Sequence, residues 1–467
     1  MTSLPASIFK AYDIRGIVDD TLTTDIVRQI GLALGTLAQE RGDHTLCVGY
    51  DGRLSSPALA TALMEGITQT GANVITLGMV TTPMLYFATQ TLSQAGSGVM
   101  LTGSHNPPQY NGLKMVIAGE TLSSEAIQAL RQRIVTQQFK QSPSPGKVTA
   151  CDIFPDYLKT IVADIRLARP MRVVIDCGNG VAGAYAPALF KALGCEVDLL
   201  FCEVDGHFPN HHPDPVEEKN LQDVIRRLHA SDAEVGLAFD GDGDRLGVVT
   251  KQGQIIRSDR QLMLFIEDVL AQQPGSQVVF DVKSSRHLSS WIHAHGGQPV
   301  IWKTGHSLMK AKIRETGAPV GGELSGHLFF NDSKAGKQRW FGFDDGLYSA
   351  ARLLEIVSRS PDASMVLEAL PDSVNTPELQ IAMQEGEPHA LIAVLQQSVQ
   401  FPDAIDVITI DGLRVEYADG FGLIRASNTQ PVLTLRFEAD NQTALLRIQQ
   451  AFKHILTQTV PDLKIPF

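Results

Sequence analysis

One pattern occurs three times in this 467-residue chain and limits what it can fold into. Cys47-Val48-Gly49-Tyr50-Asp51-Gly52-Arg53, Val173-Val174-Ile175-Asp176-Cys177-Gly178 and Val278-Val279-Phe280-Asp281-Val282-Lys283 each carry a short apolar run that ends in aspartate. A helical stretch follows each run, such as Pro57 to Thr70, and it stops at glycine: Gly71, Gly194 and the pair Gly296-Gly297. Glycine just past a helix end is the expected stop. A second apolar strand comes next (Asn73 to Leu77, Glu196 to Phe201, Pro299 to Trp302). A third comes later (Gly98 to Leu101, Glu234 to Phe239, Pro319 to Gly321). Strand–helix–strand repetition predicts α/β units with mostly parallel sheets. A period on the order of a hundred residues predicts separate similar domains and not a solenoid.

The C-terminal part departs from this pattern. Asp406 to Ile410, Leu413 to Tyr417, Gly422 to Arg425 and Val432 to Glu438 read as strands separated by Asp411-Gly412 and Asp419-Gly420 turns, with a helix from Gln442 to Thr457. That is a small α+β domain. Gln141-Ser142-Pro143-Ser144-Pro145-Gly146 reads as a linker, Lys251-Gln252-Gly253 as a turn near the next boundary, and Ser358 to Asp362 as the region of the third. The expected units are 1–147, 148–252, 253–366 and 367–467.

In each copy the third strand ends in an unusual loop. Copy one ends in Thr102-Gly103-Ser104-His105-Asn106, copy two in Asp240-Gly241-Asp242-Gly243-Asp244-Arg245, copy three in Gly322-Glu323-Leu324-Ser325-Gly326-His327. Ligands of open α/β sheets gather at the carboxyl ends of strands. If the domains face a common cleft, equivalent loops supply different chemical parts to one site. Ser104 sits between a glycine and a histidine, and Asn106-Pro107-Pro108 stops a helix from starting. A stiff, exposed turn is how a serine nucleophile is displayed, although serine also commonly caps turns. Asp240, Asp242 and Asp244 alternate with glycine, so three carboxylates can reach one ion. Close carboxylates need a cation, and a hard divalent ion, Mg2+ where phosphate is used, suits them. The loop is not a calcium EF-hand, because its twelfth position is Lys251 and not glutamate. Glu323 and Ser325 offer an acceptor and a hydroxyl of the kind vicinal sugar hydroxyls need. In the last domain Arg425-Ala426-Ser427-Asn428-Thr429-Gln430-Pro431 could cradle a phosphate.

Gly178-Asn179-Gly180-Val181-Ala182-Gly183 fits a dinucleotide fingerprint, with Asp198 about twenty residues on, and makes an NAD-linked oxidoreductase a rival. The equivalent turns of the other copies lack these glycines, so they are read as allowing helix–strand packing. His211-His212-Pro213-Asp214 is read as a loop held by hydrogen bonds and not as a metal site.

A formal net charge of −12 argues against nucleic acid as the main partner, though a few local cations can still dominate a cleft. No apolar run approaches the roughly 20 residues of a membrane span, and Met1 to Lys10 does not resemble a secretory signal. The five cysteines include no C-x-x-C pair, which suggests reduced thiols. A cytoplasmic monomer acting on a small molecule is expected.

Taken together, Lys10-Ala11-Tyr12-Asp13-Ile14-Arg15-Gly16, Thr102 to Pro107, Asp240 to Arg245, Gly322 to His327 and Arg425 to Thr429 resemble the α-D-phosphohexomutases, most closely the bacterial phosphomannomutase/phosphoglucomutase enzymes. The resemblance runs almost end to end. It implies four domains around a central cleft, and a phosphoryl group moved between the 1- and 6-positions of a hexose phosphate. Ser104 would be the phosphoserine, and Asp240, Asp242, Asp244 and a phosphate oxygen on Ser104 would bind one Mg2+. Glu323 and Ser325 would hold sugar hydroxyls. Arg425, Ser427, Asn428 and Thr429 would clamp the non-reacting phosphate. Tyr12, Arg15, His105, Lys114, Arg245, Lys283, His306 and His327 would line the cleft, with Lys114 and His306 candidates for proton transfer. A hexose 1,6-bisphosphate would be intermediate and activator. Leu324 and the Phe341-Gly342-Phe343-Asp344-Asp345-Gly346 stretch resemble the mannose/glucose enzymes more than phosphoglucosamine mutases. A phosphatase with the same serine and metal, or a non-catalytic phosphosugar-binding protein, is the alternative from another class.

Overall fold

Three sheets share one strand order. In a computed structural model that describes residues 4–398, 400–428 and 430–467, each repeat places its first strand at the centre of a parallel trio. The central strands are Thr45–Tyr50, Arg172–Asp176 and Gln277–Asp281. Each is flanked on one side by the second strand (Asn73–Met79, Glu196–Leu200, Gln298–Trp302) and on the other by the third (Ser97–Leu101, Val235–Phe239, Val320–Gly322). A fourth strand then returns antiparallel to the third: Tyr110–Ile117, Leu246–Thr250 and Leu328–Phe330. The sheets are therefore mixed. The central strands are apolar on both faces because helices cover both, as parallel strands require.

The glycines stop the helices as expected. The helix Ser56–Gln69 ends before Gly71, and Gly71, Gly194 and Gly296 adopt φ of +89°, +90° and +78°. The first sheet runs past the expected boundary at 147. Val148–Ala150 pairs in parallel with Asn73–Met79, so the chain crosses back to the first unit after the proline-rich segment.

The fourth unit is an antiparallel sheet of Val374–Asn375, Leu379–Ala382, Asp406–Ile408, Leu413–Tyr417, Gly420–Ala426 and Val432–Ala439. Helices Glu387–Ser398 and Gln442–Thr459 accompany it. The first two strands and the first helix are not evident in the sequence pattern. One apolar core runs through the first three units, joining Cys47 and Met84 to Val173 and Phe239 and on to Phe280 and Leu347. The fourth unit has its own core and meets the third through Val282, Phe421 and Leu423. Buried Arg414 crosses that seam, donating from Nη1 to the carbonyls of Val282 (2.8 Å) and Ser284 (2.6 Å). No helix among the described residues is long and apolar enough to cross a membrane.

Candidate active site

The strand order determines where the three unusual loops lie. Each connects a third strand to its antiparallel fourth and so leaves the carboxyl end of a parallel strand. In the first loop Ser104 adopts φ +48°, a left-handed conformation that is strained for a residue with a Cβ. The turn is tied by Asn106 N to Gly103 O (2.9 Å) and by Ser104 N to Thr102 Oγ1 (2.8 Å). Ser104 is not on an exposed turn, contrary to the sequence expectation; only 4% of it is accessible. The second unit covers it. The Gly241 backbone lies so close that a Cβ there would sit 2.3 Å from Ser104 O, which explains the glycine. Ser104 Oγ donates to Asp240 Oδ2 at 2.8 Å and lies 3.3 Å from His105 Nδ1.

Asp240, Asp242 and Asp244 are fully buried, and their nearest oxygens lie within 4.8 Å of one another. Lys114 Nζ donates to Asp242 Oδ2 (2.7 Å) and Asp244 Oδ2 (2.5 Å), and Thr82 Oγ1 donates to Asp242 Oδ2. Arg245 donates from N and Nε to Asp240, each at 3.1 Å. Burial disfavours ionised Asp242, yet Lys114 and the Thr82 hydroxyl hold its carboxyl far below the usual range. Burial and then the Asp242 charge push Asp240 up to about 6 and raise Asp244 well above its ordinary value. Burial opposes the Lys114 charge, but Asp242 and Asp244 keep its ammonium well above the ordinary range. Asp242 Oδ1 and Asp244 Oδ1 are buried without a hydrogen-bond donor among the described residues. Buried carboxylate oxygens that lack donors, gathered in one loop beside a hydroxyl, fit a hard cation with oxygen ligands.

A cleft of about 690 Å³ opens beside this cluster, lined by all four units. Tyr12, Arg15, Ser104, His105 and Lys114 come from the first unit and Arg245 from the second. Lys283, His306, Glu323, Ser325 and His327 come from the third, and Arg425, Ser427 and Asn428 from the fourth. The three aspartates are packed behind Ser104 and Lys114. Thr429 lies outside the described residues.

The third loop holds its carboxyl tightly. Glu323 Oε1 accepts from Gly305 N at 2.6 Å, and burial followed by the Asp281 charge pushes its pKa up to about 8. Ser325 Oγ lies 2.9 Å from His327 Nδ1. His306 stacks on His327 with ring centroids 5.7 Å apart, and Tyr12 meets His306 edge-on at 5.5 Å. Burial, with Lys310 beside His306 and Arg245 beside His327, drives both imidazoles well below their ordinary pKa and keeps them neutral. At the fourth unit Arg425 Nε donates to Asp411 Oδ2 at 3.1 Å, while its buried Nη2 has no hydrogen-bond partner among the described residues. Lys283 pairs with Glu378 at 3.0 Å.

Some site residues are not evident in the sequence. Asp344 accepts from Lys310 Nζ at 2.7 Å and lies 3.8 Å from His306 Nδ1 and 3.9 Å from His327 Nε2. Asp214 lines the cleft and pairs with Arg245 at 3.2 Å. No spacing singles out either one. Asp344 lies just before the helix Gly346–Val357, in the Phe341–Gly346 stretch, and Asp214 lies in a proline-rich loop; neither position by itself marks a site. The glycine fingerprint has the packing role expected of it. A Cβ at Gly183 would meet Cys202 O at 2.1 Å, and one at Gly180 would meet the Gly241 backbone at 2.9 Å. His211 is held by Asp176 (3.0 Å) and by His212 O (2.9 Å), as a loop histidine is.

Profiles of phosphoglucomutase/phosphomannomutase match along the chain: α/β/α domain I over residues 6–141, domain II over 155–253, domain III over 257–374, and the C-terminal domain over 378–455. The chain is 55% identical over 467 residues to a phosphoglucomutase of Neisseria meningitidis, covering 100% of both chains. It is 53% identical over 466 residues to a phosphomannomutase/phosphoglucomutase of Pseudomonas aeruginosa, covering 100% of this chain and 98% of that one. A crystal structure of a phosphoglucomutase/phosphomannomutase family protein from Burkholderia thailandensis superposes with a TM-score of 0.94 at 52% identity, over 100% of each chain. With four domain profiles in order and full-length identity above half, the chain belongs to the phosphoglucomutase/phosphomannomutase family of α-D-phosphohexomutases.

Proposed function

We propose that this protein reversibly moves a phosphoryl group between O1 and O6 of glucose and mannose phosphates, through phospho-Ser104 and a hexose 1,6-bisphosphate. The observation that carries this reading is one cleft with Ser104 Oγ on the acidic loop, 2.8 Å from Asp240, and phosphate-seeking cations Arg425 and Lys283 contributed by other units. The relatives' names, phosphoglucomutase and phosphomannomutase/phosphoglucomutase, support the sugars.

Asp240, Asp242, Asp244 and Ser104 would hold Mg2+, whose charge would offset that gathering on the phosphoryl oxygens. The remaining work falls to the chain's own groups. In the forward half-reaction the bond from Ser104 Oγ to phosphorus breaks as the free sugar hydroxyl forms a new one. That hydroxyl must lose a proton, and neutral His306 can accept it. Lys114, charged and held by two carboxylates, supplies positive charge and can give a proton to Ser104 Oγ as that oxygen leaves phosphorus; when the phosphoryl group comes back, Ser104 Oγ gives its proton to Lys114 and His306 gives its proton to the departing sugar oxygen. Arg15, His105 and Arg245 add donors and charge where the transferring group lies. Tyr12 and His327 complete the wall. Glu323, its carboxyl pushed up to about 8, and Ser325 bind sugar hydroxyls. Arg425, Ser427, Asn428 and Thr429 hold the non-reacting phosphate in both orientations, so the bisphosphate can turn over between half-reactions. Leu324, between Glu323 and Ser325, is apolar where phosphoglucosamine mutases usually carry a polar residue, which favours glucose and mannose over glucosamine. We place the enzyme in the cytoplasm as a monomer.

Turnover of glucose 1-phosphate, mannose 1-phosphate and glucosamine 1-phosphate, with a hexose 1,6-bisphosphate activator, tests this. Isomerised glucose and mannose phosphates are expected. Release of free phosphate alone would show a phosphatase instead.

A further inference from the structure

One buried guanidinium lies behind the Ser104 loop and not in the cleft. Arg53 follows the first strand of the first unit, and its side chain is 0% accessible. All five of its N–H groups are engaged. Nε donates to Asp51 Oδ2 (3.2 Å). Nη1 donates to the carbonyls of Pro107 (2.7 Å) and Tyr110 (2.9 Å). Nη2 donates to the carbonyls of Ser104 (2.8 Å) and Asn106 (2.5 Å). A single planar fork thus holds four carbonyls of one short loop, a use for which no ammonium has the geometry.

The surroundings tighten this hold. Gly103 packs on the guanidinium; a Cβ there would lie 2.5 Å from Arg53 Cζ. Asp51 also accepts from Thr102 Oγ1 (2.8 Å), Gly103 N (3.1 Å) and Ser56 Oγ (2.7 Å), so both sides of Ser104 are tied to the Asp51–Arg53 turn. From the second unit the Phe208 ring covers the guanidinium, 5.1 Å from Cζ to its centroid. Ser104 needs such a hold, because its left-handed backbone is strained. Its Oγ must meet both ends of a turning substrate at one point, and displacement by about 1 Å can cost about 100-fold in rate.

We propose that Arg53 is a positioning residue, fixing the Ser104 backbone so that Oγ stays aligned with the acidic loop. This rests on Ser104 being the phosphoryl carrier. It acts through the loop carbonyls and does not touch substrate.

The test compares Arg53→Lys and Arg53→Ala with the parent, at equal amounts of folded enzyme checked by circular dichroism and thermal melting. For Arg53→Lys the turnover number should fall about 100-fold, in line with loss of alignment, while KM changes by no more than about threefold. Phosphorylation of Ser104 by glucose 1,6-bisphosphate, followed by intact mass, should slow in parallel. Millimolar guanidinium, but not equal urea, should restore part of the rate of Arg53→Ala by refilling the vacated space. If Arg53→Ala does not fold, Arg53→Lys, which keeps a cation beside Asp51, carries the test. A lowered melting point with unchanged turnover per folded enzyme would overturn the proposal. So would a loss that falls on KM alone. Failure of the mutase reading would show differently, as no isomerised product from the parent itself.

Discussion

Replacing Arg425 tests whether the fourth unit contributes to the same site as Ser104. Arg425 lies in the strand Gly420–Ala426, is 5% accessible, and has a buried Nη2 without a hydrogen-bond partner among the described residues. A phosphate oxygen would satisfy such a group. A hydrogen bond to a charged group contributes about 1.5–3 kcal/mol. At about 1.4 kcal/mol per tenfold, Arg425→Ala should raise KM about ten- to a hundredfold. The increase should appear for glucose 1-phosphate and glucose 6-phosphate alike if one clamp serves both orientations. The fold should survive. Asp411 Oδ2 loses the Arg425 bond but keeps Thr304 N at 3.0 Å, so the stability loss should be near 1 kcal/mol. Initial rates across substrate concentration give KM, and calorimetric titration with Mg2+ should show unaltered metal binding, since the acidic loop belongs to another unit. KM unchanged for both substrates would refute the reasoning, leaving Arg425 as a partner for Asp411 only.

The remaining tests are shorter. Ser104→Ala should abolish turnover while still binding sugar phosphate, and in the parent peptide mapping should place phosphate between Thr102 and Lys114; wild-type turnover in that variant would remove the phosphoserine. A chelator should stop turnover and Mg2+ restore it, and Asp242→Asn should weaken metal binding and cut the turnover number by orders of magnitude; full activity in excess chelator would refute the cation. Glu323 titrates at about 8 when folded and near 4.5 as a model group, so the unfolded chain loses its proton first. Its contribution is therefore complete below about 4.5 and is lost as pH rises toward 8, at up to about 1.4 kcal/mol per unit. The melting point of ligand-free Glu323→Gln should accordingly gain on the parent between pH 5 and pH 8, on the order of the same window; parallel melting curves across that range would contradict a neutral buried carboxyl.

The repeat, its strand–helix–strand succession and the three loops at strand ends are visible in the sequence because each depends on local signals, whereas the order of strands in the sheets is not. Apolar runs of strand length, glycines at helix ends and carboxylates alternating with glycine act within a few residues. Those signals locate Ser104, the aspartate triad, Glu323, Ser325 and Arg425 on loops or strand ends, as observed. They also set aside the Gly178–Gly183 fingerprint correctly, since its glycines answer to neighbours that crowd them. Contacts between units lie outside such signals. Ser104 meets Asp240 across 136 residues, Lys114 meets Asp242 across 128, and Thr82 meets Asp242 across 160. No spacing encodes these pairs, because they arise when separate sheets pack through a shared core. That packing buries Ser104, which its local sequence places on an exposed turn, and turns an alternating acidic loop into a cluster neutralised in part by a lysine from another unit. It also brings Glu378 of the fourth unit to Lys283 of the third, while the folding of single units sets Asp344 beside His306 and His327 and Asp214 beside Arg245. A charge buried by tertiary contact must find its counter-charge there, and which residue supplies it is decided only when the units close on one another.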